Sequence, residues 1–235
     1  MRAPAEALVN WGWLAGHTAT ITHLALEHVR LTAIALGIGL VISLPLGIVA
    51  YRQRRLYVPV SWFASLLYTI PSLALFALLV PYTGLSTLTA EIGLVSYTLL
   101  ILIRNVVAGL DGVPADVREA ARGMGYSDRQ LLWRVEVPLA LPVIIAGVRI
   151  AAVTTVGLVT VTALIGQGGL GALILQSFNQ NFPTPGLAGA ALSVVLAVVA
   201  DVALVATQRA LTPWTKPADL RRLVETVTPA AVAGA

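Results

Sequence analysis

Pro114–Pro142, PADVREAARGMGYSDRQLLWRVEVPLALP, is a polar island in an otherwise apolar chain. Asp116, Arg118, Glu119, Arg122, Asp128, Arg129, Arg134 and Glu136 crowd both signs of charge into it, whereas the flanking runs carry almost none. Pro114 suits a first helical turn, where its missing N–H would find no partner, and Asp116 and Glu119 put negative charge where the helix dipole favours it. Gly123 and Gly125 supply the permissive backbone that ends a helix, and Ser127 with Gln130 forms a capping box that opens the next. Two helices are therefore expected, Ala115–Arg122 and Asp128–Val135, with Pro138 and Pro142 stopping the second before the next apolar run. The acidic residues read as surface charges. A connector this long and this ordered needs a partner.

On either side of the island the composition is that of a membrane protein. Hydrophobic residues make up 57% and charged residues 11% of the 235, and mean hydropathy is +0.86, against roughly 25% charged in globular domains. The length accommodates about five spans of ~20 residues with connections, and no soluble catalytic domain beside them. The net charge of +4 comes from basic residues in short connectors rather than on a soluble face, so nucleic acid is not the expected partner. With no cysteine there is no disulfide framework and no thiolate metal site.

Residues 1–23, with Trp11 and Trp13, read as an interfacial segment, and no cleaved signal peptide is expected. His17, His23 and His28 lack the i, i+4 spacing of a helical metal site and read as interfacial polar groups. Spans are expected over Val29–Ala50, Val58–Val80, Ile92–Leu110, Leu141–Ile165 and Gly186–Arg209, the third with its inner end near Arg104. The transmembrane domain thus covers 24–211, and the tail 212–235 is expected to be disordered. Pro71, in Ile70-Pro71-Ser72, removes a backbone hydrogen bond inside the second span and is expected to kink it. Breaks at that depth are tolerated where protein or a cavity satisfies the freed groups, which makes Pro71 a candidate pathway residue.

Orientation follows from the arginines. Arg52, Arg54 and Arg55 follow the first span, Arg118, Arg122, Arg129 and Arg134 lie in the island, and Arg209, Lys216, Arg221 and Arg222 lie in or beside the tail, whereas Pro81–Ala90 and Gln167–Pro185 contain no basic residue. By the positive-inside rule the amino terminus lies outside and the carboxyl terminus and the island inside.

Two charges fall well inside spans. If the fourth span enters near Leu141 and the fifth leaves near Arg209, Arg149 and Asp201 each lie eight positions in, about 12 Å at 1.5 Å per residue. They are expected to face the protein interior and pair.

Gly166-Gln167-Gly168-Gly169-Leu170-Gly171 matches G-x-G-x-x-G, yet it follows a span rather than a strand, with no acidic residue about 20 positions on, so a dinucleotide site is excluded. Residues 171–180 read as a short, partly re-entrant helix. No G-x-x-x-x-G-K-[ST] cradles phosphates, and no serine–histidine–acid or paired-carboxylate arrangement supports an enzyme. Catalytic and metal residues are none.

Glu119-Ala120-Ala121, three residues, Gly125, nine residues, Val135, one residue, then Val137-Pro138 resembles the EAA loop of bacterial ABC-importer permeases of the type I fold, with valines where isoleucine and leucine are commoner. The resemblance implies an all-α membrane fold with a cytoplasmic two-helix coupling loop, in which Glu119, Ala120, Ala121, Gly125 and Pro138 serve contact with a separate ATPase subunit that takes the ATP. This chain itself would bind no cofactor. The segment at Gly168 and Gly169 resembles the GAGGLG stretch of such permeases, near the outer gate. Ile70–Phe76 (IPSLALF), Arg104-Asn105, Leu139–Arg149 (LALPVIIAGVR), Ile165–Gly171 (IGQGGLG), Glu27-His28 and Pro45-Leu46-Gly47 resemble permeases for glycine betaine, choline, carnitine and related osmoprotectants.

Such a system implies an extracytoplasmic binding protein and, since one chain offers one docking loop to an engine with two ATPase sites, a second copy or a related permease. A quaternary ammonium is held by aromatic faces. Tyr68, Trp62 and Phe63 in the second span offer them, although aromatics at helical spacing also serve packing. Two alternatives remain open: a permease for another small polar solute such as an amino acid, and a gradient-driven carrier. The second sits poorly with the lack of an internal repeat and the few intramembrane charges.

Overall fold

The computed structural model describes residues 8–215. The start of the expected interfacial segment (1–7) and most of the expected tail (216–235), with Lys216, Arg221 and Arg222, lie outside the described residues. Among the described residues every regular element is helical: α1 (Trp11–Gly16), α2 (Thr18–Arg52), α3 (Arg54–Thr69), α4 (Ser72–Thr83), α5 (Thr87–Asp111), α6 (Ala115–Gly123), α7 (Asp128–Leu131), α8 (Val137–Val161), α9 (Gly171–Gln180) and α10 (Pro183–Leu211), with short π and 3₁₀ turns between. By length and composition four stretches can cross a membrane, five if the bent α3/α4 pair counts as one span. The all-α membrane fold expected from composition is the fold found.

Helices α2, α5 and α8 form the centre. At one end Leu31 and Ala35 of α2, Leu94 of α5 and Val159 of α8 form a buried cluster. Towards the other, Val106 and Leu110 of α5 pack on Leu132, Ala140 and Ile144. Lipid tails are as apolar as leucine, so helices in a bilayer gain little from hydrophobicity and associate by close approach of small residues. Gly39 and Gly47 of α2 provide it. A Cβ on Gly47 would stand 2.6 Å from Val106 Cγ1, and one on Gly147 of α8 only 2.3 Å from the Asn105 Cβ of α5.

No helix break marks residue 23, since α2 runs unbroken from Thr18 to Arg52. α5 ends at Asp111, one residue past the Leu110 expected for the third span, and its Arg104 donates to Ser65 Oγ of α3 at 3.2 Å. Several expectations need correction. His28 is not interfacial: it is fully buried, with Nε2 3.0 Å from the Val156 carbonyl oxygen.

Pro71 breaks its span rather than kinking it, with α3 and α4 meeting at 94°. Ile70, which precedes the proline, is driven out of the helical region (φ −64°, ψ 126°). Its freed carbonyl accepts the Tyr97 hydroxyl.

Pro138 and Pro142 do not stop the helix after the island. α7 passes through a π turn, Leu132–Glu136, directly into α8, in which Pro138 occupies the first turn. The Val137 N–H reaches back to the Leu132 carbonyl, one residue further than in an α-helix. That wider turn relieves the clash a pyrrolidine ring makes with the carbonyl four residues before it.

Candidate functional site

The island projects from the arginine-rich end of the bundle. α6 ends in a Schellman motif: the Tyr126 N–H donates to the Ala121 carbonyl (3.2 Å) and the Gly125 N–H to the Arg122 carbonyl (2.9 Å). Gly125 sits at φ +85°, which closes the motif. A Cβ there would meet nothing within 4 Å, so the requirement is backbone conformation and not space. The capping box then starts α7, with Ser127 N donating to Gln130 Oε1 at 2.9 Å and Gln130 N to Ser127 Oγ at 3.4 Å.

Side chains on this hairpin divide cleanly. Ala121 and Leu131 are buried against the bundle, while Glu119, Ala120 and Arg122 face outward. Two large apolar side chains are exposed nearby, Met124 (71%) in the turn after α6 and Trp133 (51%) in the π turn after α7. Exposed apolar groups rimmed by charge mark a contact surface. Neither stood out in the sequence, since nothing in its spacing tells which way a short helix turns.

Beneath the hairpin lies a polar root. Glu136 is 2% exposed, which corrects its reading as a surface charge. Its Oε1 accepts the Tyr51 hydroxyl at 2.8 Å and lies 3.3 Å from Arg118 Nε, while Oε2 lies 3.6 Å from an Arg52 terminal nitrogen. That same Arg52 nitrogen donates to the Asp128 carbonyl at 2.7 Å, and Arg118 donates to the Leu110 carbonyl at 2.8 Å. Arg54 pairs with Asp111 alongside. A carboxylate is retained inside protein only when donors surround it. Here they come from the end of α2 and from α6.

Elsewhere the sequence-derived residues form separate groups. Arg149 of α8 and Asp201 of α10 make a bidentate pair, Nε to Oδ1 at 2.8 Å and a terminal nitrogen to Oδ2 at 3.0 Å. Their side chains are 32% and 35% exposed in a shallow groove with Ala146, Ile150, Val153 and Thr154. The expected pair is thus formed, and in the single chain it is part-buried.

Tyr68 lies by the Pro71 break, its ring edge-on to Tyr97 at 5.8 Å between centroids, whereas Trp62 and Phe63 are exposed on α3. Gly168 and Gly169 lie in the loop that follows α8, at the opposite end from the hairpin. A Cβ on Gly168 would meet the Ala163 backbone at 2.2 Å and one on Gly169 the His28 backbone at 2.8 Å. These glycines allow the loop to lie against α2 and the end of α8.

Residues 39–213 match the model of the family described as "Binding-protein-dependent transport system inner membrane component". Over 204 residues the chain is 40% identical to the osmoprotectant import permease protein OsmW of Salmonella typhimurium, covering 85% of this chain and 94% of that one. It is 33% identical to the glycine betaine/carnitine/choline transport system permease protein OpuCB of Bacillus subtilis (80% and 86% covered) and 35% identical to the carnitine transport permease protein OpuCB of Listeria monocytogenes (88% and 94%). Among solved structures, the inward-facing MetNI methionine ABC transporter matches with a TM-score of 0.73 at 26% identity, covering 80% of this chain and 94% of that one. An amino acid ABC transporter shares the fold at a TM-score of 0.66 and 20% identity, with 86% and 98% covered.

Proposed function

Because the chain belongs to the family of binding-protein-dependent transport system inner membrane components, we propose that it is the importer permease that carries quaternary-ammonium osmoprotectants of the glycine betaine, choline and carnitine class across the cell membrane. The observation that carries this reading is 33–40% identity, over 80% or more of the chain, to relatives named for those solutes. Structures named for methionine and amino acids share the fold at lower identity, 26% and 20%, which leaves the amino acid alternative behind. Family membership likewise replaces the gradient-driven alternative.

Energy enters from outside the chain. The hairpin of α6 and α7, with the π turn that follows, offers Glu119, Ala120, Met124 and Trp133 to a separate ATPase subunit, while Ala121, Gly125 and Pro138 fix its shape. The positive-inside rule puts this end in the cytoplasm, beside ATP, with the amino terminus outside and the carboxyl terminus inside. A second permease copy or a related permease completes the channel, and an extracytoplasmic binding protein delivers the solute. Within the membrane, the break at Pro71 with Tyr68 and Tyr97 beside it supplies aromatic faces for a quaternary ammonium, and the Gly168–Gly169 loop serves the outer gate.

Uptake of labelled glycine betaine, choline and carnitine is the test, in cells lacking their own osmoprotectant importers and expressing this chain with its co-purifying ATPase and binding protein. ATP-dependent uptake of at least one of the three, and not of methionine or histidine, is expected. Uptake of amino acids alone would overturn the substrate class.

A further inference from the structure

We infer that Glu136 is the joint through which the position of the α6–α7 hairpin reaches the membrane helices, with Arg52 and Arg118 as its two links; this deepens the proposed function and rests on it. Three observations converge on one carboxylate. First, both hairpin helices are tied to it by arginines. Arg118, on α6, spans from the Leu110 carbonyl at the end of α5 to Glu136 Oε1. Arg52, the last residue of α2, spans from the Asp128 carbonyl at the start of α7 to Glu136 Oε2. A shift of either hairpin helix therefore pulls on the same side chain. Glu136 itself is 2% exposed, so a partner docked on the hairpin does not touch the carboxylate on which both links meet.

Second, the joint is loosely made. Charge-assisted N–H···O contacts normally lie at about 2.7–2.9 Å, but the arginine contacts to Glu136 are 3.3 and 3.6 Å. Glu136 Oε2 and Arg118 Nε are both buried without a hydrogen bond. Only the Tyr51 hydroxyl, at 2.8 Å, is at full strength. Buried polar groups left unmatched are costly, so the cluster favours any movement that closes these gaps. Closing them takes less than about 1 Å, the Arg118 gap by a shift of α6 and the Arg52 gap by a shift of the end of α2 relative to the π turn, which gives the root two arrangements, slack and closed, of the kind that carries coupling between sites.

Third, Glu136 is the last residue of the π turn that joins α7 to α8. Such turns hold one extra residue in the helix and recur at functional sites. Closing the joint turns the base of α8, the central helix that carries Arg149 and through it meets α10. Glu136 touches neither nucleotide nor solute, so its role is positioning.

The test uses the complete transporter, this chain with its ATPase and binding protein, reconstituted in vesicles with glycine betaine as the solute. Glu136→Gln keeps the shape and the Tyr51 hydrogen bond and removes the charge both arginines reach. We expect assembled complex at normal yield, basal ATP hydrolysis within twofold of the unaltered transporter, and solute moved per ATP reduced about tenfold. Glu136→Asp, which restores the charge on a shorter stem, should recover part of that ratio. A purely structural role would instead lower yield and leave the ratio of the surviving complexes unchanged, and that result overturns the inference.

Should Glu136→Gln fail to assemble, Arg52→Gln, which leaves the buried acid with Tyr51 and Arg118, replaces it with the same expected loss of ratio; an unchanged ratio there overturns the inference equally. If the unaltered complex hydrolyses ATP without solute stimulation, the proposed function itself fails and takes the joint with it. If the unaltered complex is stimulated and Glu136→Gln matches it, only the joint fails.

Discussion

Replacing Gly125 tests whether hairpin shape, rather than hairpin presence, couples the permease to its ATPase. The residue sits at φ +85°, and a Cβ there meets nothing within 4 Å, so a substitution acts through backbone conformation alone. The left-handed region costs an ordinary L-residue about 1–2 kcal/mol, less for asparagine and more for a β-branched side chain. At about 1.4 kcal/mol per factor of ten, Gly125→Ala lowers the share of hairpins with a closed Schellman motif by roughly tenfold relative to the alternatives. Gly125→Val lowers it further, and Gly125→Asn least. Because the motif fixes the angle between α6 and α7, the exposed residues Glu119, Met124 and Trp133 lose their common register as it opens. The assay is solute-stimulated ATP hydrolysis in the reconstituted complex, with subunit yield measured in parallel. The expected order of stimulation is Gly, Asn, Ala, Val. Equal stimulation by Gly125→Asn and Gly125→Val, at equal yield, would refute the conformational argument even if both were impaired.

Single cysteines placed at Ser86, Gln180 and Ser127 of this cysteine-free chain should label from outside at the first two and only from inside at the third; reaction of Ser127 with an impermeant reagent in intact cells would reverse the orientation. Tyr97→Phe removes the hydroxyl that donates to the part-buried Ile70 carbonyl at the α3/α4 break and should destabilise the subunit by about 0.5–1.5 kcal/mol, the net worth of one hydrogen bond, read as a lower thermal unfolding midpoint in detergent; no shift would mean that another group already serves that carbonyl. Arg149→Ala and Asp201→Ala should each lower the midpoint, and the double variant by less than the sum, since each single change strands a charge; simple additivity would show that the pair contributes nothing as a pair.

Much of this molecule was legible because its signals are local. The limits of α6, the Gly125 turn and the Ser127–Gln130 box are fixed by residues within one or two turns of each other, and the structure reproduces them to within a residue. Pro71 was legible as a site of disruption but not in degree. A proline specifies only that the preceding residue leaves the helix; whether the chain then bends or breaks depends on a distant donor, here Tyr97. Pro138 misled for the same reason in reverse. Its cost is relieved by a π turn, which has no sequence signature. Glu136 was unreadable as a buried acid, because its neighbours in sequence are a mixed-charge helix end while its partners in space, Tyr51, Arg52 and Arg118, lie 85, 84 and 18 positions earlier.

The Arg149–Asp201 pair shows how far depth can be argued from sequence and where facing cannot. Counting residues from the span ends put both charges at one level, and antiparallel α8 and α10 do bring the two together. Residue counting does not say whether the two charges also need to turn inward, and in the single chain the pair is part-buried. A bidentate pair removes part of that need, since each ion satisfies the other's strongest hydrogen-bonding demand before either meets its surroundings. The surroundings fit that account. Ala146, Ile150 and Val153 line the groove beside the pair, and Val194, Val198 and Val202 leave α10 with an exposed apolar face. A lone arginine on such a face would be the costly arrangement at membrane depth. Pairing turns it into a neutral, directional link between α8, whose base holds the Glu136 root, and α10, which is otherwise the least buried of the long helices. Whatever moves α8 therefore has a polar handle on α10 as well as apolar contact.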